Sequence, residues 1–116
     1  MNAVRDTIFL IEPGFADPKQ PGKLWFCPFC NQIEGVLARF PALSDAVEVR
    51  RVPFARPREA VIAALGEAHQ ALPVLVFADP ATAPSDADEI DGRRFLNDTR
   101  RILEVLAERH GTAWPH

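Results

Sequence analysis

Thr7-Ile8-Phe9-Leu10-Ile11 is apolar at every position after its threonine. A continuous β-branched and aromatic run of this kind has no face to offer water. It therefore reads as a strand covered on both sides and central in a sheet. Pro73-Val74-Leu75-Val76-Phe77 is a second such run. Strands buried on both faces require helices above and below the sheet, which points to an α/β layer fold.

The segments between these runs fit that requirement. Glu12-Pro13-Gly14 closes the first strand, and Gly14 to Lys23, rich in proline, glycine and polar residues, reads as a loop. From Cys27 the period changes: Cys30, Ile33, Val36/Leu37 and Phe40 recur at helical spacing until Pro41 stops the helix. Val47 to Val52 reads as a second strand ended by Pro53. Pro57 suits the first position of a helix whose inner face is Val61, Ile62 and Leu65 and which ends at Gly66. Ala78 to Glu89 is an acidic Ala/Pro/Asp loop. Ile90 to Leu96 reads as a short fourth strand with a turn signal near its start. Asn97 or Asp98 can cap a last helix with Ile102, Leu103 and Leu106 inside and Gly111 at its end.

The expected order is β-α-β-α-β-β-α, a four-stranded mixed sheet with helices on both faces. The first two strands are joined through a helix and should be parallel. The last two form a hairpin with a long loop. The middle helix covers one face, and the first and last helices the other.

At 116 residues the chain suits one domain, residues 1–116, with a core over about 6–110 and inserted loops at 12–26 and 79–89. A formal charge of −3 argues against a nucleic-acid partner. The one basic cluster, Arg50, Arg51, Arg56 and Arg58, reads as a solvated strand end and helix start. Met1-Asn2-Ala3-Val4-Arg5-Asp6 carries charge where a signal peptide would be apolar. No stretch approaches the roughly 18 apolar residues of a membrane span. The expectation is a cytoplasmic protein with no membrane partner.

Cys27-Pro28-Phe29-Cys30 holds both cysteines of the chain. In a reducing compartment, two thiols at this spacing serve exchange or metal binding more readily than they staple a fold. They also read as two small buried hydrophobes. A metal site needs two further ligands. Of His69, His110 and His116, only His69 lies near an element expected to approach the cysteines, so neither a metal nor a cofactor is assigned. For exchange chemistry, Cys27 stands at a helix N-terminus, where unpaired N–H groups and the helix dipole favour a thiolate. Pro28 lacks an N–H and suits the first turn. Cys30, one turn on, is the more buried thiol. Lys23 precedes the pair and is placed to attract a thiolate or a carboxylate. Trp25 and Phe26 either wall a groove or anchor the long loop. Glu34 would relay protons if buried.

A C-x-x-C opening a helix after a buried strand, in this element order, resembles the thioredoxin superfamily in its minimal, glutaredoxin-sized form. Cys27-Pro28-Phe29-Cys30 is similar to the Cys-Pro-Tyr-Cys of glutaredoxins. Leu72-Pro73-Val74 stands where the superfamily places its cis-proline. Ile90 to Phe95 followed by Asn97-Asp98-Thr99 resembles the glutaredoxin stretch ending in Gly-Gly-x-Asp. More narrowly, Arg5 to Leu10, Phe95 to Thr99 and Glu108 to Gly111 resemble a small bacterial family of thioredoxin-like proteins with no assigned function.

The resemblance implies a thioredoxin-like fold and a thiol-disulfide oxidoreductase with Cys27 as nucleophile and Cys30 as resolving thiol. It implies substrate contacts from Pro28, Phe29, Leu72, a cis Pro73, Asp98, Thr99 and Lys23, and a small thiol, disulfide or protein as partner, glutathione as co-substrate among them. Two departures bear on that thiol: the loop ahead of Cys27 is longer than in glutaredoxins, and Leu96-Asn97 replaces the Gly-Gly pair. The alternative reading is a non-catalytic module on the same fold that recognises a peptide or thiol ligand beside Pro73. The sequence leaves the oligomeric state undetermined.

Overall fold

The sheet is built around β1 (Thr7–Ile11), as its apolar run requires. The computed structural model describes residues 4–116; Met1, Asn2 and Ala3, part of the charged start read above, lie outside the described residues. After β1 come a two-residue pair, β2 (Phe15–Ala16) and β3 (Leu24–Trp25), then α1 (Pro28–Arg39), the short α2 (Leu43–Ala46), β4 (Glu48–Val52) and α3 (Glu59–Leu65). The chain continues through β5 (Val74–Val76), a 3₁₀ turn over Pro80–Thr82, β6 (Asp88–Ile90), β7 (Arg93–Leu96) and α4 (Thr99–His110). The main sheet runs β4-β1-β5-β7-β6. β1 and β4 are parallel, with Thr7 opposite Glu48 and Ile11 opposite Val52, and every other neighbouring pair is antiparallel.

The sheet therefore has five strands, not the expected four. Asp91 (φ 49°) and Gly92 (φ 79°) both lie in the left-handed region. Two such residues in succession suit a tight hairpin of the primed type, whose twist matches the strands it joins. The chain consequently folds back here, and Asp88 and Glu89, read above as the end of the acidic loop, join Ile90 in a strand that pairs with Phe95, Arg94 and Arg93. The extra strand is short, acidic and at the edge, features that discourage edge-to-edge association.

Three further differences concern the connections. The loop between β1 and α1 carries the β2–β3 ribbon, with Phe15 opposite Trp25. It is tied down by Gly14 N–H to the Trp25 carbonyl (2.8 Å), Glu12 N–H to Val52 (2.8 Å) and the Trp25 indole N–H to Gln20 (3.1 Å). The single helical turn of α2 follows Pro41. Pro57 does not open a helix: α3 starts at Glu59 behind Arg58, and the Arg56–Pro57 bond is cis.

Alternation along β1 divides the core as expected. Ile8 and Leu10 pack with Leu75 and Leu96 beneath Cys30, Ile33 and Leu37 of α1 and Ile102, Leu103 and Leu106 of α4. Phe9, on the opposite face, packs with Val52, Val74 and Phe95 beneath Val61 and Leu65 of α3. Burying such side chains contributes about 1.5–3 kcal/mol each. This sandwich fixes the start of α1 against the end of β1. Among the described residues no helix is long and apolar enough to cross a membrane.

Candidate functional site

Cys27 is the N-cap of α1. Its extended backbone (φ −78°, ψ 116°) ends the preceding loop, and its Sγ accepts the backbone N–H of Cys30 at 3.3 Å. The sulfur thus takes the place that a serine or aspartate oxygen holds in an ordinary cap. Pro28 follows at N1, where its missing N–H costs nothing. Cys27 is half-buried, while Phe26 and Phe29 on either side are mostly exposed. One turn inward, Cys30 is buried, and its Sγ accepts the N–H of Ile11 at 3.4 Å. The two thiols therefore have unequal surroundings, one facing the surface and one facing the sheet. Burial pushes the Cys30 thiol up to about 12. The Ile11 N–H and the Arg58 charge act in the other direction, and neighbouring Cys27 adds to the rise.

Arg58 departs from the solvated setting that its basic neighbours suggest. It was expected on a solvated helix start, yet only 7 % of it is exposed. Its guanidinium is held by carbonyls: Nε and Nη2 donate to Phe54 O (3.1 and 2.7 Å) and Nη1 to Gln70 O (2.8 Å). Its own N–H donates to the Gln70 side-chain oxygen at 2.8 Å. No carboxylate pairs with it among the described residues. Burial and the neighbouring Arg56 charge lower its pKa, while attraction to both cysteines opposes that shift. The signal was present in the spacing, since position 58 continues the stripe of Val61 and Leu65 by one further turn.

The Leu72–Pro73 bond is cis, and Leu72 packs against the same core cluster as Cys27. Asn97 fixes this segment. Its Nδ2 donates to the carbonyls of Ala71 (2.8 Å) and Pro73 (3.0 Å), bridging the end of β7 to the chain entering β5. The position that departs from the Gly-Gly pattern is thus a structural tie. Asp98 caps α4 through Oδ1, which accepts the Arg101 N–H at 2.9 Å, and Thr99 is its first residue.

Other residues singled out have separate roles. The Lys23 ammonium lies over the Trp25 ring, 5.8 Å from its centre. Glu34 makes a two-pronged pair with Arg51 (2.8 and 2.7 Å). His69 packs against Phe95, with ring centres 5.1 Å apart. No three His, Cys, Asp or Glu side chains converge among the described residues.

A groove of about 610 Å³ opens between the β2–β3 loop and the segment before α3, lined by Ala16, Pro18, Lys19, Phe54, Arg56 and Arg58, with Asp17 and Ala55 completing the wall. Phe54 stacks flat on Phe15 at 4.2 Å. A cavity of about 370 Å³ at the other end of α1, among Arg39, Phe40, Leu43 and His110, contains none of the expected site residues.

No curated protein and no solved structure matches this chain. A family model described as a protein of unknown function, DUF3088, matches residues 5–114, and the chain belongs to that family.

Proposed function

We propose that the protein is a thiol-disulfide oxidoreductase on a thioredoxin-type fold, with Cys27 as nucleophile and Cys30 as resolving thiol. The observation that carries this reading is the cap: Cys27 Sγ accepts the Cys30 N–H at the start of a twelve-residue helix, and Cys30 lies buried one turn below. A thiolate at that position gains from the N–H and from the helix dipole, by about 0.3–1 kcal/mol for the dipole in an exposed setting. The strand order and directions support the fold assignment, with β6 as an edge addition.

In the proposed reaction the Cys27 thiolate attacks one sulfur of a substrate disulfide. The Cys27–substrate bond forms as the first substrate thiolate leaves. Cys30 then gives up its proton to solvent or to the departing thiolate and attacks the Cys27 sulfur. The Cys27–Cys30 disulfide closes, the second substrate thiol departs, and two electrons have passed to the substrate. A resolving thiol pushed up to about 12 stays protonated while Cys27 reacts, which orders the two steps.

The test is trapping. Cys30→Ser incubated with glutathione disulfide should accumulate one mixed disulfide, located at Cys27 by mass spectrometry. Cys27→Ser should accumulate none, and the native protein should pass on to the internal disulfide. An unmodified Cys30→Ser variant would remove the enzymatic reading. A non-catalytic module would then remain, with Phe26 and Phe29 as its exposed apolar contacts.

A further inference from the structure

The groove beside Arg58 has a charge pattern that neither the fold nor the cysteine pair demands. Lys19, Arg56 and Arg58 line it against a single carboxylate, Asp17. Asp17 is partly engaged, since its Oδ1 accepts the Lys19 backbone N–H at 2.9 Å. Arg56 is exposed and its side chain makes no hydrogen bond or ion pair among the described residues. Arg58 is the built part of the site: it is buried, its guanidinium is fixed by carbonyl oxygens, and it has no counter-charge among the described residues. Three of its five N–H groups are used in those contacts, which leaves two for a ligand. Phe54 and the alanine and proline residues supply apolar wall, and a volume of about 610 Å³ lies in the range of small-molecule sites.

Arg58 lies close enough to both thiols for their charge to act on it. Phe54 packs against the core cluster that also receives Cys27. We propose that this groove is the substrate subsite of the thiol pair and selects low-molecular-mass disulfides that carry carboxylates. Arg58 and Arg56 hold the carboxylate while the disulfide lies towards Cys27. This rests on the oxidoreductase reading and names its substrate class. The step is the exchange described above: Cys27 displaces one carboxylate-bearing thiolate, Cys30 displaces the second, and the dithiol is oxidised as the substrate disulfide is reduced.

The test uses three disulfides of similar size: 3,3′-dithiodipropionate (dianionic), 2-hydroxyethyl disulfide (neutral) and cystamine (dicationic). Rates of mixed-disulfide formation at Cys27, each divided by that reagent's rate with a simple thiol in solution, should fall in that order in the Cys30→Ser protein, with the dianion's advantage shrinking as salt is raised. Lys19→Gln and Arg56→Gln together should slow the dianion by roughly tenfold, the low end of steering in a charged cleft. The neutral reagent, which has no carboxylate to hold, should be slowed far less. Equal rates on that scale for the three reagents, or equal slowing of all three by the double variant, would overturn the proposal.

Binding is measured separately from chemistry, by amide NMR shifts of the Cys27→Ser protein on titration with 3,3′-dithiodipropionate. Shifts confined to 16–19 and 54–58 and absent with cystamine support the subsite even if Cys27 proves unreactive. In that outcome only the oxidoreductase reading fails. Absence of those shifts sinks the subsite whatever Cys27 does.

Discussion

Arg58 and Gln70 hold each other at two points. The Gln70 side-chain oxygen accepts the Arg58 backbone N–H at 2.8 Å, and the Arg58 guanidinium donates to the Gln70 carbonyl at 2.8 Å. Gln70 Nε2 in turn donates to Glu67 O at 2.9 Å. Both residues are buried, so neither end of this exchange can be replaced by water at low cost. The lock ties the residue before α3 to the loop that follows the helix, and its position places a fixed positive charge in the field of the two thiols.

Arg58→Met should therefore act in two ways. Loss of donors to Phe54 O and Gln70 O leaves buried acceptors unpaired, a cost of about 1–3 kcal/mol for each such group. Urea denaturation should show a lower midpoint with an unchanged slope. Gln70→Ala should destabilise by a similar amount while keeping the guanidinium. Trapping rates separate charge from scaffold: they should fall more in Arg58→Met than in Gln70→Ala at matched stability.

Cys30 gives a pH signature. Its thiol is raised from 9.0 to about 12 in the folded state, chiefly by burial, so the unfolded chain gives up that proton first. Between those values the native state binds more protons than the unfolded state, and stability falls as pH rises. The slope is at most about 1.4 kcal/mol per pH unit. Below pH 9 this contribution is flat. Cys30→Ala should flatten the alkaline slope relative to the native protein, measured by urea denaturation at a series of pH values with reductant present.

The parts legible in the sequence are those where one physical demand dominates. β1, the helix from Cys27 to Phe40 and the Asp98 cap follow from unbroken apolarity, helical spacing and a polar residue before an apolar stripe. The fifth strand was hidden because Asp88 and Glu89 read as the end of an acidic loop, and Ile90 to Leu96 as one run unless Asp91-Gly92 is given both turn positions. Arg58 was hidden because a charged residue in a basic cluster is ordinarily solvated. Its burial depends on carbonyls from Phe54 and Gln70, which come together only in the folded chain. The candidate site was legible as two cysteines at a helix start; the groove lined by Phe54, Arg56 and Arg58 depends on a long loop whose path no local rule specifies.

Glu34 was a candidate proton relay, but it is engaged by Arg51 in a two-pronged pair in which the arginine side chain is nearly half exposed. Pairs of this kind contribute about 0.2–1 kcal/mol. Glu34→Gln should lower stability by no more than that. It should leave the pH profile of mixed-disulfide formation at Cys27 in place. A displaced profile would show that Glu34 exchanges protons with the thiols.

Asp98 separates a helix cap from a ligand contact. Asp98→Asn retains a side-chain oxygen for the Arg101 N–H, whereas Asp98→Ala does not. The alanine variant should lose about 1 kcal/mol and the asparagine variant a fraction of that. If the residue serves only α4, trapping with glutathione disulfide should proceed equally fast in both. Slower trapping in Asp98→Asn would make the carboxylate part of the substrate site.

Asn97 tests how far the Pro73 segment must be held. Its Nδ2 spans two carbonyls, Ala71 at 2.8 Å and Pro73 at 3.0 Å. Asn97→Ala should cost about 1–2 kcal/mol, as expected for two hydrogen bonds of ordinary net strength. Asn97→Asp keeps the shape but removes both donors and sets a negative charge against two carbonyl oxygens, so it should be the more destabilising change. Amide hydrogen exchange should rise first around 71–74 and at the end of β7, with the start of α1 unaffected. Faster exchange at 27–30 as well would show that Asn97 holds the cysteine end of the site, not the Pro73 segment alone.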